Sequence, residues 1–371
     1  MKNTSKKNII SFIYKGGRKK RLIDKNTEFP SEFFYGYIEL MEKGYNVKIF
    51  EENDLGFRLR NKYLDSGLIF LSKMFFNIPL NMFLGFILSG GYKKLERSQT
   101  IIATTNAVGI CLALSKNLGF LKNKVIFINM GIFAKRQGIL KTHIYKKILE
   151  NVKMLCLSKY EKKFLSTQFK ARNLNYLQFG VDKSFWKKTQ TYQNNFFSHK
   201  PYVLSIGGDL ARDWNLLINS WQSDFPCLKI VSPSKIKTSK NNIQVISSSW
   251  HDEKLSDLEI KDIFLNSLFV IIPLKETIQP SGQSSCLQAM SCGKAVLISD
   301  IQGIWDRDLL KHKENLFLIR PCNEEALING IKILIKDNFL RTKLENNGRK
   351  LIEEEFNNYK MADNLKDYLK D

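Results

Sequence analysis

Residues 269–300 read FVIIPLKETIQPSGQSSCLQAMSCGKAVLISD, and the reading of this stretch decides the fold. An apolar run from Phe269 reaches Pro273, and a loop with Pro280, Ser281 and Gly282 follows. A helix is predicted from Ser284 to Cys292, and Gly293 ends it ahead of a strand at Ala295–Ser299. Strand, glycine loop and helix start in that order make a seat for an anion. Amides at Gly282, Gln283, Ser284 and Ser285 meet the positive end of the helix dipole there. Serine hydroxyls add donors suited to a pyrophosphate, and Gln288, one turn on along the side shared with Ser284 and Ser285, is placed to reach a ribose hydroxyl. Ser285 and Gln288 also have the spacing of a capping box, in which both side chains only close the helix end.

A second stretch with the same order, YVLSIGGDLARDWNLLINSW at 202–221, moves the balance toward phosphate. Gly207 and Gly208 permit close backbone approach, and Arg212 offers a charge-assisted, bidentate contact to a phosphate oxygen. Asp213 has the position of an N-cap, and Trp214 and Trp221, seven residues apart, read as core.

Outward from these two segments, short β-rich runs alternate with helical patterns along the whole chain, the signature of parallel sheets covered by helices. Strands are expected at 9–14, 47–51, 100–104, 125–129, 154–158 and 176–179, then at 202–206, 228–232, 243–246, 269–273, 295–299 and 316–319. Helices are expected at 30–43, 107–118, 142–151 and 159–169, then at 213–222, 261–267, 284–292 and 324–336, with a charged helical stretch at 341–371. The polar segment 187–200 interrupts the alternation. The expected organisation is an α/β protein of two Rossmann-like, doubly wound parallel-sheet domains facing a cleft, with ligand at the carboxyl ends of the strands. Residues 1–188 form the first domain, 189–200 the linker and 201–345 the second, and 346–371 a helix returning to the first.

Charge divides the same way. The chain of 371 residues carries a net charge of +22. Residues 1–200 hold 36 basic and 13 acidic side chains and the rest 22 and 23, so the whole excess lies in the first half, which calls for an anionic partner. Six cysteines, never spaced Cys-x-x-Cys, argue against a disulfide lattice or a zinc knuckle and for a reducing compartment. The apolar run at 9–14 is broken by Lys15 and Arg18–Arg21, so no secretory signal is read and a cytoplasmic protein is expected. Residues 68–88 contain Lys73, Asn77, Pro79 and Asn81 and are too interrupted to span a bilayer. They read equally as a buried helix pair or as a membrane-docking surface.

Together with LQFGVDKSFW at 177–186, the two glycine segments resemble glycosyltransferases of the GT-B fold, in the retaining group that includes family 4. The resemblance covers most of residues 100–345 and is strongest at 281–300. It implies transfer of a sugar from a nucleoside diphosphate sugar, the donor substrate, to a glycan or lipid-linked acceptor in cell-envelope synthesis, with retention and without a metal or other cofactor. The family's ribose-binding second motif Glu corresponds to Gln288. Its first falls on Pro280, for which Glu276 is the stand-in. Of the family's cation pair, Arg212 matches the Lys and Gly208 the Arg, so Lys275 or Lys235 is the candidate second cation.

The expected donor site is thus Gly207, Gly208, Arg212, Glu276, Ser281, Gly282, Gln283, Ser284, Ser285 and Gln288, with Arg212 and Lys275 acting on the leaving diphosphate. Gly16, Gly17 and Arg18, after the first strand, are expected at the acceptor, and the adjoining basic run fits an anionic acceptor or peripheral contact with the inner face of the plasma membrane. His143, His199, His251 and His312 lie in polar stretches and read as solvated. Two other readings stand beside this one. A GT-B nucleotide-sugar 2-epimerase would need paired carboxylates and a cleft histidine, which the sequence does not offer; an RNA-binding protein fits the basicity, but no RNA-recognition signature is present and no specific nucleic-acid partner is expected.

Overall fold

The computed structural model describes residues 8–24, 28–59, 61–74, 76–170, 173–187, 201–248 and 255–370. The chain forms two compact units, one of Met1–Thr27, Phe34–Gln178 and Met361–Asp371, the other of Glu28–Phe33 and Phe179–Lys360. The expected linker at 189–200, and His199 and His251, fall outside the described residues.

The first unit runs β1 (Ile10–Tyr14), α1 (Arg18–Ile23), α2 (Tyr37–Glu42), β2 (Val47–Glu51), α3 (Lys62–Met74) and α4 (Leu80–Leu88). It continues with β3 (Thr100–Ala103), α5 (Asn106–Asn117), β4 (Lys124–Asn129), α6 (Ile139–Leu149), β5 (Lys153–Cys156), α7 (Lys159–Phe169) and β6 (Leu174–Tyr176). The strands pair in parallel in the order β2-β1-β3-β4-β5-β6. Every residue of β1 and β3 is buried, which explains their unbroken apolar character: helices cover both faces of such a sheet. Helix starts follow their caps, Thr105 accepting from the Val108 amide and Ser158 from the Glu161 amide.

The second unit runs β7 (Tyr202–Ile206), α8 (Trp214–Ser220), β8 (Cys227–Ser232), β9 (Ile243–Ser247), α9 (Asp257–Leu265) and β10 (Ser267–Ile272). Next come α10 (Gln283–Ser291), β11 (Val296–Ser299), β12 (Phe317–Ile319), α11 (Glu324–Lys336) and α12 (Asn338–Glu354). Its parallel sheet has the order β12-β11-β10-β7-β8-β9. Trp221 is buried in the core and Trp214 lies against it, as their spacing suggested. The last helix, α13 (Asn358–Asp367), groups with the first unit from Met361 on, where Asp363 meets Lys43 at 2.6 Å and the Tyr368 hydroxyl donates to the Tyr176 carbonyl at 2.9 Å.

Three expectations are corrected, and one left open is resolved in part. The helix expected at 30–43 is a 3-10 turn at Ser31–Phe34 and then α2, because Tyr35 and Gly36 adopt left-handed backbone, φ 49° and 87°, where the chain passes between units. The helical tail is broken before Asn357 because that backbone pairs with Val181: the Val181 amide donates to the Phe356 carbonyl at 2.9 Å and the Asn358 amide to the Val181 carbonyl at 3.0 Å. The helix expected from Lys261 starts at Asp257, since Ser256 and Glu259 close a capping box. In the 68–88 stretch α4 buries Gly85 and Phe86, but α3 buries none of its residues. His143 and His312 are exposed, as expected.

Candidate functional site

Strand order fixes where the second unit can bind a ligand. From β7 the chain steps outward through β8 and β9, and from β10 it steps the other way through β11 and β12, so β7 and β10 flank the switch point. The loops leaving their carboxyl ends are the two glycine segments of the sequence. They are laced together: the Lys275 amide donates to the Ala211 carbonyl at 2.8 Å and the Asp213 amide to the Pro273 carbonyl at 3.0 Å. Asp213 caps α8, its carboxylate accepting from the Leu216 amide at 3.2 Å.

Arg212 is the charge at this junction and is only 4% exposed. Its Nε donates to Asp209 Oδ2 at 2.8 Å and its Nη2 to Ser285 Oγ at 3.2 Å. Nη1 is buried with no partner among the described residues, and so is Asp209 Oδ1. A buried guanidinium N–H left unpaired is costly, and an anion entering the junction would satisfy it. Gly207 makes room for this arrangement. Its φ is 145°, and a Cβ there would fall on the guanidinium.

Opposite Arg212 stands the start of α10. Gly282 is its N-cap at φ 74°, and a Cβ on Gly282 would come within 2.7 Å of Ile272 Cγ2. The first intrahelical bond runs from the Cys286 amide to the Gly282 carbonyl at 3.0 Å, so the amides of Gln283, Ser284 and Ser285 precede it and give α10 its positive end. Gln283 and Ser285 are buried and Ser284 half-buried. The capping-box reading of Ser285 and Gln288 does not hold, because the helix begins two residues before Ser285 and both side chains reach other partners.

The structure brings together Gly207, Gly208, Arg212, Ser281, Gly282, Gln283, Ser284, Ser285 and Gln288 on the two laced loops and α10. Lys275 is on the same loop but exposed, as is Lys235. Glu276 is exposed and accepts from the Gln302 amide at 2.8 Å, a tie between loops. Gly16, Gly17 and Arg18 belong to the first unit, where they follow β1 at that sheet's own switch point between β1 and β3. There Gly17 caps α1, and the Arg18 guanidinium lies 5.9 Å from the Phe34 ring centroid.

Sequence reasoning missed Glu32. It stands on the short Glu28–Phe33 segment that joins the second unit, and it is fully buried. Its Oε1 accepts from Gln288 Nε2 at 3.0 Å and from Trp186 Nε1 at 2.9 Å, and its Oε2 from the Asp182 amide at 3.1 Å. Burial pushes its carboxyl up to about 7 against these donors, led by Gln288, which favour the charged form. No local spacing signals a contact across 256 positions, so nothing short of the fold reveals it. In the first unit a second carboxyl is placed similarly. Glu161 accepts from Asn129 Nδ2 at 2.8 Å and the Ile132 amide at 3.3 Å, and burial pushes it up to about 8.

Residues 234–351, which include α10 and its loop, match the profile of the family described as glycosyl transferases group 1. Solved structures agree over nearly the whole chain. HepE from Anabaena, solved in complex with UDP-glucose, superposes with a TM-score of 0.67 at 14% identity, covering 97% of this chain and 99% of that one. Sucrose-phosphate synthase from Thermosynechococcus elongatus gives 0.71 at 15% identity, covering 97% and 98%. WaaG, a glycosyltransferase involved in lipopolysaccharide biosynthesis, gives 0.65 at 10% identity, covering 97% and 99%. No curated protein matches the sequence. The two parallel six-stranded sheets and these structures show the GT-B fold, and within it residues 234–351 are similar to group 1 glycosyl transferases.

Proposed function

We propose that the chain transfers a sugar from a nucleoside diphosphate sugar to a glycan or lipid-linked acceptor, with retention and without a metal. The observation that carries this reading is the buried Arg212 at the β7–β10 switch point, whose Nη2 donates to Ser285 on α10 while its Nη1 has no partner among the described residues. A diphosphate there would take that N–H, the amides at Gln283–Ser285 and the Ser285 hydroxyl, while Gln288 meets the ribose. As the sugar–phosphate bond breaks, negative charge grows on the leaving diphosphate, and donors already aimed at it lower the barrier without rearranging. In a retaining reaction of this kind the acceptor approaches on the face the diphosphate leaves, and the departing phosphate oxygen takes its proton. HepE, which shares the fold, is solved with UDP-glucose and so supports a uridine nucleotide as the first donor to try.

The acceptor side rests on the first unit. Along α3 the residues Asp65, Leu68 and Ser72 lie on the less exposed side, and Tyr63, Phe70 and Met74 are 91%, 65% and 63% exposed. An apolar stripe on a surface helix, in the half of the chain with the whole cationic excess, suits an anionic bilayer and an acceptor held in it.

A thermal-shift panel of nucleoside diphosphates and their sugars, with and without EDTA, tests the donor assignment. A ligand at 100 times its Kd stabilises the folded chain by about 2.7 kcal/mol. A shift with one nucleotide class that survives EDTA supports the reading; no shift with any of them refutes it.

A further inference from the structure

We propose that Glu32 is a positioning residue that sets the Gln288 amide for the ribose of the donor nucleotide, a role that rests on the donor reading above. A glutamine amide has two faces of opposite character, an NH2 that only donates and an oxygen that only accepts, and a half-turn exchanges them. A ribose hydroxyl binds either, so the amide alone selects neither. Glu32 Oε1 accepts from Gln288 Nε2 at 3.0 Å and from Trp186 Nε1 at 2.9 Å, so it faces the amide as an acceptor and fixes the flip. Gln288 Oε1 is left as the amide's acceptor on α10, on the side shared with Ser284 and Ser285. Donation to a carboxylate also polarises the amide and makes its oxygen a stronger acceptor.

Glu32 is itself held firmly. Trp186 Nε1 and the Asp182 amide donate to its two oxygens, the Ser31 amide donates to Asp182 Oδ2 at 3.2 Å, and Asn358 Nδ2 donates to Ser31 Oγ at 2.9 Å. The hydrogen bonds on the carboxylate come from an amide side chain, an indole and the backbone, none of them cationic. A buried carboxylate held only by neutral donors is an expensive way to fill a core, since an apolar side chain of that size costs less. Its placement against the one glutamine of the ribose position gives that expense a use. The family resemblance puts a carboxylate at position 288 itself; in this chain the carboxylate stands one layer back and acts through the amide.

Binding of UDP and of its 2′,3′-dideoxy analogue to the full chain, measured by calorimetry for the wild type, Glu32→Gln, Gln288→Ala and the double variant, tests this. The wild type should prefer UDP by about tenfold, one hydrogen bond's worth. Glu32→Gln and Gln288→Ala should each bring that ratio close to one with pyrophosphate affinity unchanged, and the double variant should lose nothing more. A ratio unchanged in either single variant, or a Glu32→Gln effect that persists fully in the Gln288→Ala background, overturns the proposal while the donor reading stands. A wild type that binds no nucleoside diphosphate overturns both. Should Glu32→Gln fail to fold, the ratio in Gln288→Ala still decides whether the amide reads the ribose.

Discussion

The Arg212–Asp209 pair makes a prediction with two opposite signs. Arg212 divides its donors among Asp209, Ser285 and an unpartnered Nη1, so a diphosphate entering the junction gains one free N–H and competes with Asp209 for Nε. Replacing Arg212 by Ala removes at least one charge-assisted bond to the ligand, worth about 1.5–3 kcal/mol, and leaves the Asp209 carboxylate uncompensated beside the phosphates. Affinity for the nucleoside diphosphate should fall by about 10- to 150-fold. Replacing Asp209 by Asn removes the competing charge and keeps the shape. Affinity should then rise severalfold, because a neutral amide gives up the guanidinium more readily than a carboxylate does. Calorimetric titration with UDP and with pyrophosphate reads both effects, and a melting curve for each variant separates them from loss of fold. If both substitutions weaken binding, or neither changes it, the guanidinium is a loop brace and the phosphate assignment fails.

Two further predictions concern the first unit. Glu161 has a folded-state pKa of about 8 against an ordinary 4.5, so between those values the native chain holds a proton the unfolded chain has released, and stability falls as pH rises through that window. Glu161→Gln keeps the acceptor for Asn129 Nδ2 and the Ile132 amide while removing the charge, and its melting temperature should gain on the wild type's by several degrees between pH 5 and pH 9; a difference that does not change with pH refutes the burial argument. Vesicles of phosphatidylglycerol should sediment the wild-type chain, and Phe70→Glu with Met74→Glu should abolish this without lowering the melting temperature, because neither side chain is buried; equal sedimentation of the variant removes α3 from the membrane reading.

Much of the architecture was legible because parallel strands buried on both faces write themselves as short apolar runs. The runs at 47–51 and 202–206 coincide with β2 and β7 in full, and most others differ by a residue or two at an end. What was not legible depends on partners distant in sequence. Tyr35 and Gly36 leave the helical region where the chain passes between units, and Asn357 does so to pair with Val181. The α9 boundary is different in kind. Its capping box at Ser256 and Glu259 is a local signal that stands in the sequence, five residues ahead of the expected start at Lys261.

The candidate site divides along the same line. Glycine loops and a helix start are local devices, so 207–212 and 281–288 could be read as an anion seat before any contact was known. The charge balance of that seat could not. Asp209 stands three residues before Arg212, a spacing that permits the ion pair without requiring it, and only the fold shows the carboxylate occupying the guanidinium that the phosphates would need. With Arg212 paired in this way, a preference for a diphosphate at this seat would come from directed N–H and O–H groups more than from net positive charge. On the proposed reading, the cationic excess of residues 1–200 is left for a partner other than the donor. Donor affinity dominated by oriented donors should change little with ionic strength, whereas attachment to an anionic surface through the first unit should weaken steeply, since exposed charges are screened beyond about 10 Å at 0.1 M salt and buried ones much less.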